Sequence, residues 1–319
     1  MALNGSHSSL PRNPGPNWGY GFLRRFDRFM PAPLAWVGLA AGTWVAVLAM
    51  PKQRRYSRDY LAAILPRRPG WRDVWRHFFA YTQMMMARIR AAETGSHACE
   101  PQPGFESFST LMRSGQPALL GTFHVGTSDL LGFLVGTYRR RVHMIRLRVD
   151  NSHDTRHLAE TFGEWVTYVW VNQKDNLLFV LKDTAQRGGT IAMMCDRVEY
   201  SSKLEPFRFL GATRLMPFTI YHLALVFDLP VVFSLSLPSG PDRSRLYASP
   251  VFQPDPRAAK SVNLARARRH FQQVLDELEA LLRAEPYQWF NFIPLSPALP
   301  SDSATAPASE TLAALAARA

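Results

Sequence analysis

PALLGTFHVGTSDLLGFLVGTY, residues 117–138, is read first because it contains two kinds of element back to back. The run PALLGTF is short and apolar, which suits a strand buried on both faces. Thr127, Ser128 and Asp129 follow, all residue types that cap a helix N-terminus, and LLGFLVGTY then reads as the helix they open. Gly126 lets the chain turn tightly between the two. A strand that passes straight into a helix is half of a strand-helix-strand unit.

The same step repeats downstream. VHMIRLRV, VTYVWV, TIAMMCD and PVVFSLSL read as strands. DTRHLAETFGEW, KDNLLFVLKDTAQRG (closed by Gly188) and PFTIYHLALVFD read as the helices between them. Such alternation predicts an α/β fold, with a mostly parallel central sheet flanked by helices on both faces. In such sheets the reactive crevice lies at the C-terminal strand ends, where His124 and Asp196 both fall. A long amphipathic helix, SVNLARARRHFQQVLDELEALLRAEP, follows.

Ahead of this domain the pattern is helical. Residues 1–16, rich in Gly, Pro and Ser, are expected to be disordered and lack the order of a secretory signal peptide. Residues 29–51, FMPAPLAWVGLAAGTWVAVLAMP, carry no charge. Their proline-free part, Leu34 to Met50, is short of the roughly 20 residues that span a bilayer. Arg24, Arg25 and Arg28 precede it and Lys52, Arg54 and Arg55 follow, so the flanks give no orientation. A hydrophobic helix lying in one leaflet fits as well as a span, and a buried helix of a soluble domain is the plainer alternative. Residues 55–66 and 71–92 read as helices, the second with Trp71, Trp75, Phe78, Phe79, Met85, Met86 and Ile89 near helical spacing. The expected division is a disordered start (1–16), a helical membrane-associated region (17–94), an α/β domain (95–294) opening on a linker at 95–104, and a flexible tail (295–319).

Composition narrows the partners. The chain has 319 residues, 47% of them hydrophobic, and a formal net charge of +12. That charge attracts anions such as nucleic acid, anionic lipid headgroups or an acidic protein. No recognition helix, RNA-binding aromatic signature or Cys/His finger is present, so nucleic acid is not expected as a partner. The basic residues are dispersed among Trp, Phe and Met, which suits a membrane surface. Two cysteines, Cys99 and Cys195, far apart in sequence, make neither a disulfide framework nor a zinc site. Cys195 reads as a buried small apolar residue.

His124 and Asp129 carry the candidate chemistry. A histidine is the usual general base near neutral pH, and a carboxylate on its other ring nitrogen fixes the tautomer. A strand-turn-helix step can bring side chains five apart back together, and Asp129 stands where a helix dipole favours negative charge. On spacing alone, the same residues serve equally as helix caps. No G-x-S-x-G elbow is present, and His97 with Cys99 matches no cysteine-nucleophile pattern. A His-Asp pair without an enzyme nucleophile points to direct activation of a substrate hydroxyl.

HVGTSD resembles the His-x4-Asp/Glu signature of the lysophospholipid acyltransferase superfamily. The stretch from RGGTIAMMCDRVEYSSKLEPFRFLGATR to FDLPVVFSLSLP is similar to a block of the bacterial lipid A late acyltransferases, the lauroyl and myristoyl transferases. Pro206, Phe207, Phe209 and Gly211 fall in it, and EPYQWFNF resembles that family's terminal P-x-Q-W. The resemblance covers roughly residues 20 to 295 and implies a glycerolipid acyltransferase-like fold. It implies a donor that is an acyl carrier protein or acyl-CoA thioester, and an acceptor hydroxyl on a membrane lipid or glycolipid. The expected place is the cytoplasmic face of a bacterial inner membrane. His124 would be the general base and Asp129 its orienting carboxylate. Arg146, Arg148, Asp196, Arg197, Phe207, Phe209 and Gly211 would bind substrate, with Phe207, Phe209 and Phe218 lining an acyl tunnel or simply packing the core. The family's aromatic-rich form around its catalytic pair is absent here, which leaves the acceptor open. Backbone N–H groups near Gly126, or an arginine, would stabilise the oxyanion.

Neither a metal nor a cofactor is expected. His153 and His157, spaced as a chelating pair, have no third ligand in view. Arg139, Arg140, Arg141, Arg146 and Arg148 form either a basic patch for phosphates or acyl carrier protein, or a solvated strand edge. The rival readings are a lysophosphatidate-type acyltransferase, a non-catalytic lipid-binding or assembly protein that kept the fold, and a basic nucleic-acid binder.

Overall fold

The computed structural model describes residues 19–147, 160–163, 165–171 and 177–299. Four helices come first: α1 (Gly19–Phe29), α2 (Ala32–Ala49), α3 (Pro51–Ile64) and α4 (Trp71–Thr94). Pro51 lacks an N–H to continue α2 and forces Met50 out of helical geometry, so α2 and α3 meet at a sharp bend of 98°. The side chain of Asp73 reaches back to the Gly70 N–H at 2.8 Å and starts α4, and Gly95, at φ +68°, ends it. One face of α4, with Val74, His77, Phe78, Ala87, Arg88 and Ala91, is buried.

Among the described residues, no single helix is long and apolar enough to cross a membrane. The uncharged α2 buries only Ala35, Thr43 and Val47, while Leu34, Trp36, Val37, Trp44, Val45 and Leu48 stay exposed. Phe22 and Phe29 of α1 are exposed as well.

The second part is the α/β domain. Its strands are β1 (Ala98–Pro101), β2 (Leu119–Thr122), β3 (Val142–Arg146), β4 (Val166–Trp170), β5 (Thr190–Met194), β6 (Leu204–Phe209), β7 (Ala212–Pro217), β8 (Val231–Gly240) and β9 (Arg243–Ala248). Its helices are α5 (Glu106–Arg113), α6 (Leu131–Thr137), α7 (Leu177–Gln186), α8 (Thr219–Phe227) and α9 (Lys260–Ala284). Seven strands form one sheet in the order β1-β9-β8-β2-β5-β3-β4. The five from β8 to β4 are parallel, and β9 turns back antiparallel on β8. β6 and β7 make a separate hairpin.

Adjacent residues of the central strands feed opposite faces, as strand geometry requires. Leu119, Ile191, Val231 and Phe233 pack with Tyr221 of α8 and Phe271, Leu275 and Leu278 of α9. Leu120, Ala192 and Val232 pack with Phe108 and Met112 of α5 and Leu134 and Val135 of α6. Each such fully buried side chain contributes about 1.5–3 kcal/mol, so two covered faces are ample to hold the sheet.

Three differences from expectation stand out. Residues 95–104 are not only a linker, because β1 lies there and pairs with β9. The stretch around Phe207 and Phe209 is a hairpin with Gly211 at φ +72° in its turn. Helix 131–137 is preceded by a single 3-10 turn, Ser128–Leu130, rather than running on directly from a capping residue. The expected helix at 154–165 falls mostly outside the described residues.

Candidate active site

β2 and β5 are neighbours, with Thr122 opposite Met194. Two residues beyond that pair, at the C-terminal strand ends, His124 and Asp196 are therefore side by side. The ladder carries on between them: Cys195 N–H donates to Thr122 O at 2.8 Å. Asp196 then replaces a backbone acceptor with its side chain, and its Oδ2 accepts the His124 N–H at 2.8 Å. Its Oδ1 meets His124 Nδ1 at 2.6 Å. An ionised carboxylate only accepts, so Nδ1 carries a proton, and in the neutral ring it is Nε2 that keeps the lone pair.

Asp196 is ionised in spite of its burial. Burial pushes its carboxyl up, but the His124 charge, the two His124 hydrogen bonds and the Trp289 indole together hold it below the usual carboxylate range. Trp289 Nε1–H donates to Oδ2 at 2.9 Å, and the Asn291 side chain donates to Asp196 O at 3.0 Å. The stretch 288–291 also grips the turn itself. Phe290 N–H donates to His124 O, Gly126 N–H donates to Gln288 O, and Val125 pairs antiparallel with Trp289.

Asp129 is not the carboxylate on the histidine ring. It lies in the 3-10 turn and pairs with Arg88 of α4 at 2.9 Å and with Arg146, the last residue of β3, at 3.3 Å. Burial pushes its carboxyl up, yet Arg88, Arg146, His124 and Arg197 outweigh that and bring it to about 2. The physical reason is the sheet order. β5 sets Asp196 level with His124, while α4 and β3 deliver two guanidinium groups to Asp129. Three arginines, two carboxylates and one histidine thus share this end of the sheet, a surplus of positive charge when the imidazole is neutral.

Other expected residues scatter. Arg197 Nε donates to Asn291 Oδ1 at 3.3 Å, beside the pair. Arg140 turns inward to Thr190 Oγ1 and Met112 O, so the run 139–141 is not a uniform basic patch. Arg148 lies outside the described residues, as do His153 and His157. Phe207 and Phe218 are core, packed on each other and on Phe271. Phe209 instead stands edge-on to Trp289 and lines a small cavity with Tyr60, Asp196, Arg214 and Asn291. Gly211 is in the hairpin turn, two residues past Phe209, and does not line that cavity. His97 meets the hydroxyl of Ser244, the β9 residue opposite Cys99, at 2.6 Å.

Gly126 has the role expected of a turn glycine but not that of an oxyanion donor. Its φ is +50°, and a Cβ there would come within 2.2 Å of Ser236 O. The N–H groups of Gly126, Thr127 and Ser128 are all taken, by Gln288 O, Ser236 O and Val125 O. These three N–H groups are therefore not free to receive a ligand oxygen.

Among the described residues, no hydroxyl or thiol hydrogen-bonds to His124 Nε2. Thr127 Oγ1 is committed to Ser236 and Ser244, Ser128 Oγ donates to Val125 O, and burial, reinforced by Asp196, pushes the Cys195 thiol far up. Among those residues, no group of three or more His, Cys, Asp or Glu is placed to hold a metal. Sequence reading passed over Arg88, Trp289 and Asn291 as site residues. The visible signal was the stretch EPYQWFNF, which holds both Trp289 and Asn291.

No protein-family model matches the chain, and neither does any curated protein sequence. Among solved structures it is similar to the crystal structure of the 1-acyl-sn-glycerophosphate (LPA) acyltransferase PlsC from Thermotoga maritima. The identity is 12%, the TM-score is 0.38, and the match covers 76% of this chain and 97% of that one. The reading that follows is carried by the geometry of the site.

Proposed function

We propose that this protein is a membrane-associated O-acyltransferase that moves a fatty acyl group from a thioester to a hydroxyl of a membrane lipid or glycolipid. One observation carries the reading: a buried carboxylate holds His124 by Nδ1 at parallel strand ends, and no nucleophile among the described residues occupies Nε2. Such a histidine is equipped to take a proton from a hydroxyl that arrives with the substrate.

In this reading His124 Nε2 removes the acceptor's hydroxyl proton as the oxygen attacks the thioester carbonyl carbon. Asp196 keeps the ring in its Nδ1–H tautomer and stabilises the imidazolium. Arg146 and Arg197 supply positive charge for the oxyanion. When the intermediate collapses, the C–S bond breaks, and the thiolate leaves with the proton that His124 took up. No acyl-enzyme forms. The donor would be acyl carrier protein or acyl-CoA. The exposed apolar side chains of α2, Trp36, Trp44 and Leu48 among them, support a helix lying in one leaflet, and that leaflet would be the cytoplasmic one of an inner membrane.

Mass spectrometry of lipid extracts tests this. Cells expressing the intact chain should contain a lipid heavier by one acyl group, absent from cells with equal amounts of the His124→Ala variant. Purified protein supplied with that acceptor and an acyl thioester should then reproduce the transfer. Equal yields of the heavier lipid with the alanine variant, or a stable acyl adduct on the protein, would contradict the proposal.

A further inference from the structure

The Asp196 carboxylate is held unevenly. Oδ1 has the ring of His124 as its partner, and Oδ2 has the backbone N–H of His124 and the indole N–H of Trp289. Without the indole, both remaining partners of the carboxylate would be groups of His124 itself, the residue it has to orient, and its last torsion is a broad one. Trp289 is itself fixed from three directions. Its carbonyl accepts from His77 Nε2 at 2.7 Å. Its ring meets Tyr60 and Phe209 edge to face, with centroids at 4.9 and 5.7 Å. Its backbone is bridged to Val125 in the His124 turn.

His77 is set in the same way. A carbonyl only accepts, so Nε2 carries the proton. Ser57 Oγ–H then donates to Nδ1 at 2.9 Å, and burial holds the ring neutral by lowering its value to about 4. Ser57, His77, Trp289, Asp196 and His124 form an unbroken series from the N-terminal helices to the base. A ring that only filled space beside Tyr60 and Phe209 would need no N–H, and this N–H is aimed at the carboxylate that orients the histidine.

We propose that Trp289 is the positioning residue of this site: its indole N–H, fixed in place by His77, sets the Asp196 carboxylate and through it the tautomer and angle of the His124 ring. The inference deepens the reading of His124 as a general base and rests on it. The other charges nearby are Asp129 with Arg88 and Arg146, and Arg197. Among the described residues none of these hydrogen-bonds to the Asp196 carboxylate.

The test uses full-length protein in detergent and compares Trp289→Phe with Trp289→His. The first keeps a ring and removes the donor. The second restores a ring N–H at the same number of bonds from the backbone. Carbethoxylation of His124 by diethylpyrocarbonate, followed on its peptide by mass spectrometry, reports the ring without any turnover. In Trp289→Phe the pH midpoint of that reaction should move by about half a unit or more, and in Trp289→His it should return to the parent value. With an acyl thioester and acceptor, kcat should fall about tenfold or more in the phenylalanine variant while KM stays within about twofold. An unchanged midpoint in a Trp289→Phe protein that melts like the parent would overturn the proposal, as would a shift that histidine fails to restore. Should the variants not fold, 15N-indole labelling of the intact chain decides. One of the eight tryptophan indoles should titrate in step with His124 and stop doing so in His124→Gln, whereas eight indoles that ignore His124 would refute it. A normal midpoint shift in a protein that transfers no acyl group would leave Trp289's role standing and remove the acyltransferase reading.

Discussion

Two aspartates lie within reach of one histidine, and they have different work. Asp196 touches the ring, while Asp129 answers two arginines. Replacing each by asparagine should separate them. Asp196→Asn keeps the shape but allows the wrong tautomer, and transfer should fall by roughly a thousandfold or more with little loss of thermal stability. Asp129→Asn withdraws the anion that Arg88 and Arg146 share, so unfolding should become easier by about 3–5 kcal/mol. Rates and melting curves of the two proteins check this, and the reverse pattern would return the orienting role to Asp129. The sequence made both residues visible but paired the histidine with Asp129, whereas the structure sets Asp196 on its ring. A spacing of five is a local cue, whereas the partnership of His124 with Asp196 depends on β2 lying beside β5, and strand order is not written in strand sequence.

Among the elements, those covered on both faces were the legible ones. β2, β5 and β8 are continuous apolar runs, and the helices between them carry clear starts and stops. β1 and β9 were missed because they lie toward the sheet edge, where Arg243 and Arg245 alternate with Ser244 and Leu246 and the apolar signal is thin. The β6–β7 hairpin was hidden by Pro206 and by Glu205, Arg208 and Arg214, which interrupt its short apolar runs. α4 was recognised, but its periodicity could not tell that His77 and Arg88 belong to the buried face. His77 makes a prediction at this scale. Its folded value of about 4 lies below the unfolded value of about 6.5. The unfolded chain therefore binds the proton first as pH falls. The stability that neutral His77 confers is complete above about pH 6.5 and is lost on descending toward 4, about 3 kcal/mol in all. Denaturant titrations over that range should show the slope, and His77→Gln should flatten it.

Taken whole, the molecule has a covered sheet at one part and a bare apolar helix at another. The exposed side chains of α2 would each gain about 1.5–3 kcal/mol on leaving water. Trp36→Ser combined with Trp44→Ser should shift the protein from the membrane pellet to the supernatant by a factor of about a hundred, and raised salt should matter less than this change. If the double variant pellets as before, α2 does not dock. The clip formed by residues 288–291 has a further consequence, in time. The His124 turn, its carboxylate and the helical layer are all translated before the segment that fastens them together, and His77 is 212 residues ahead of the carbonyl it holds. A nascent chain can therefore build most of its sheet before residues 288–291 are made, and the His124–Asp196 pair stays unclipped until they emerge.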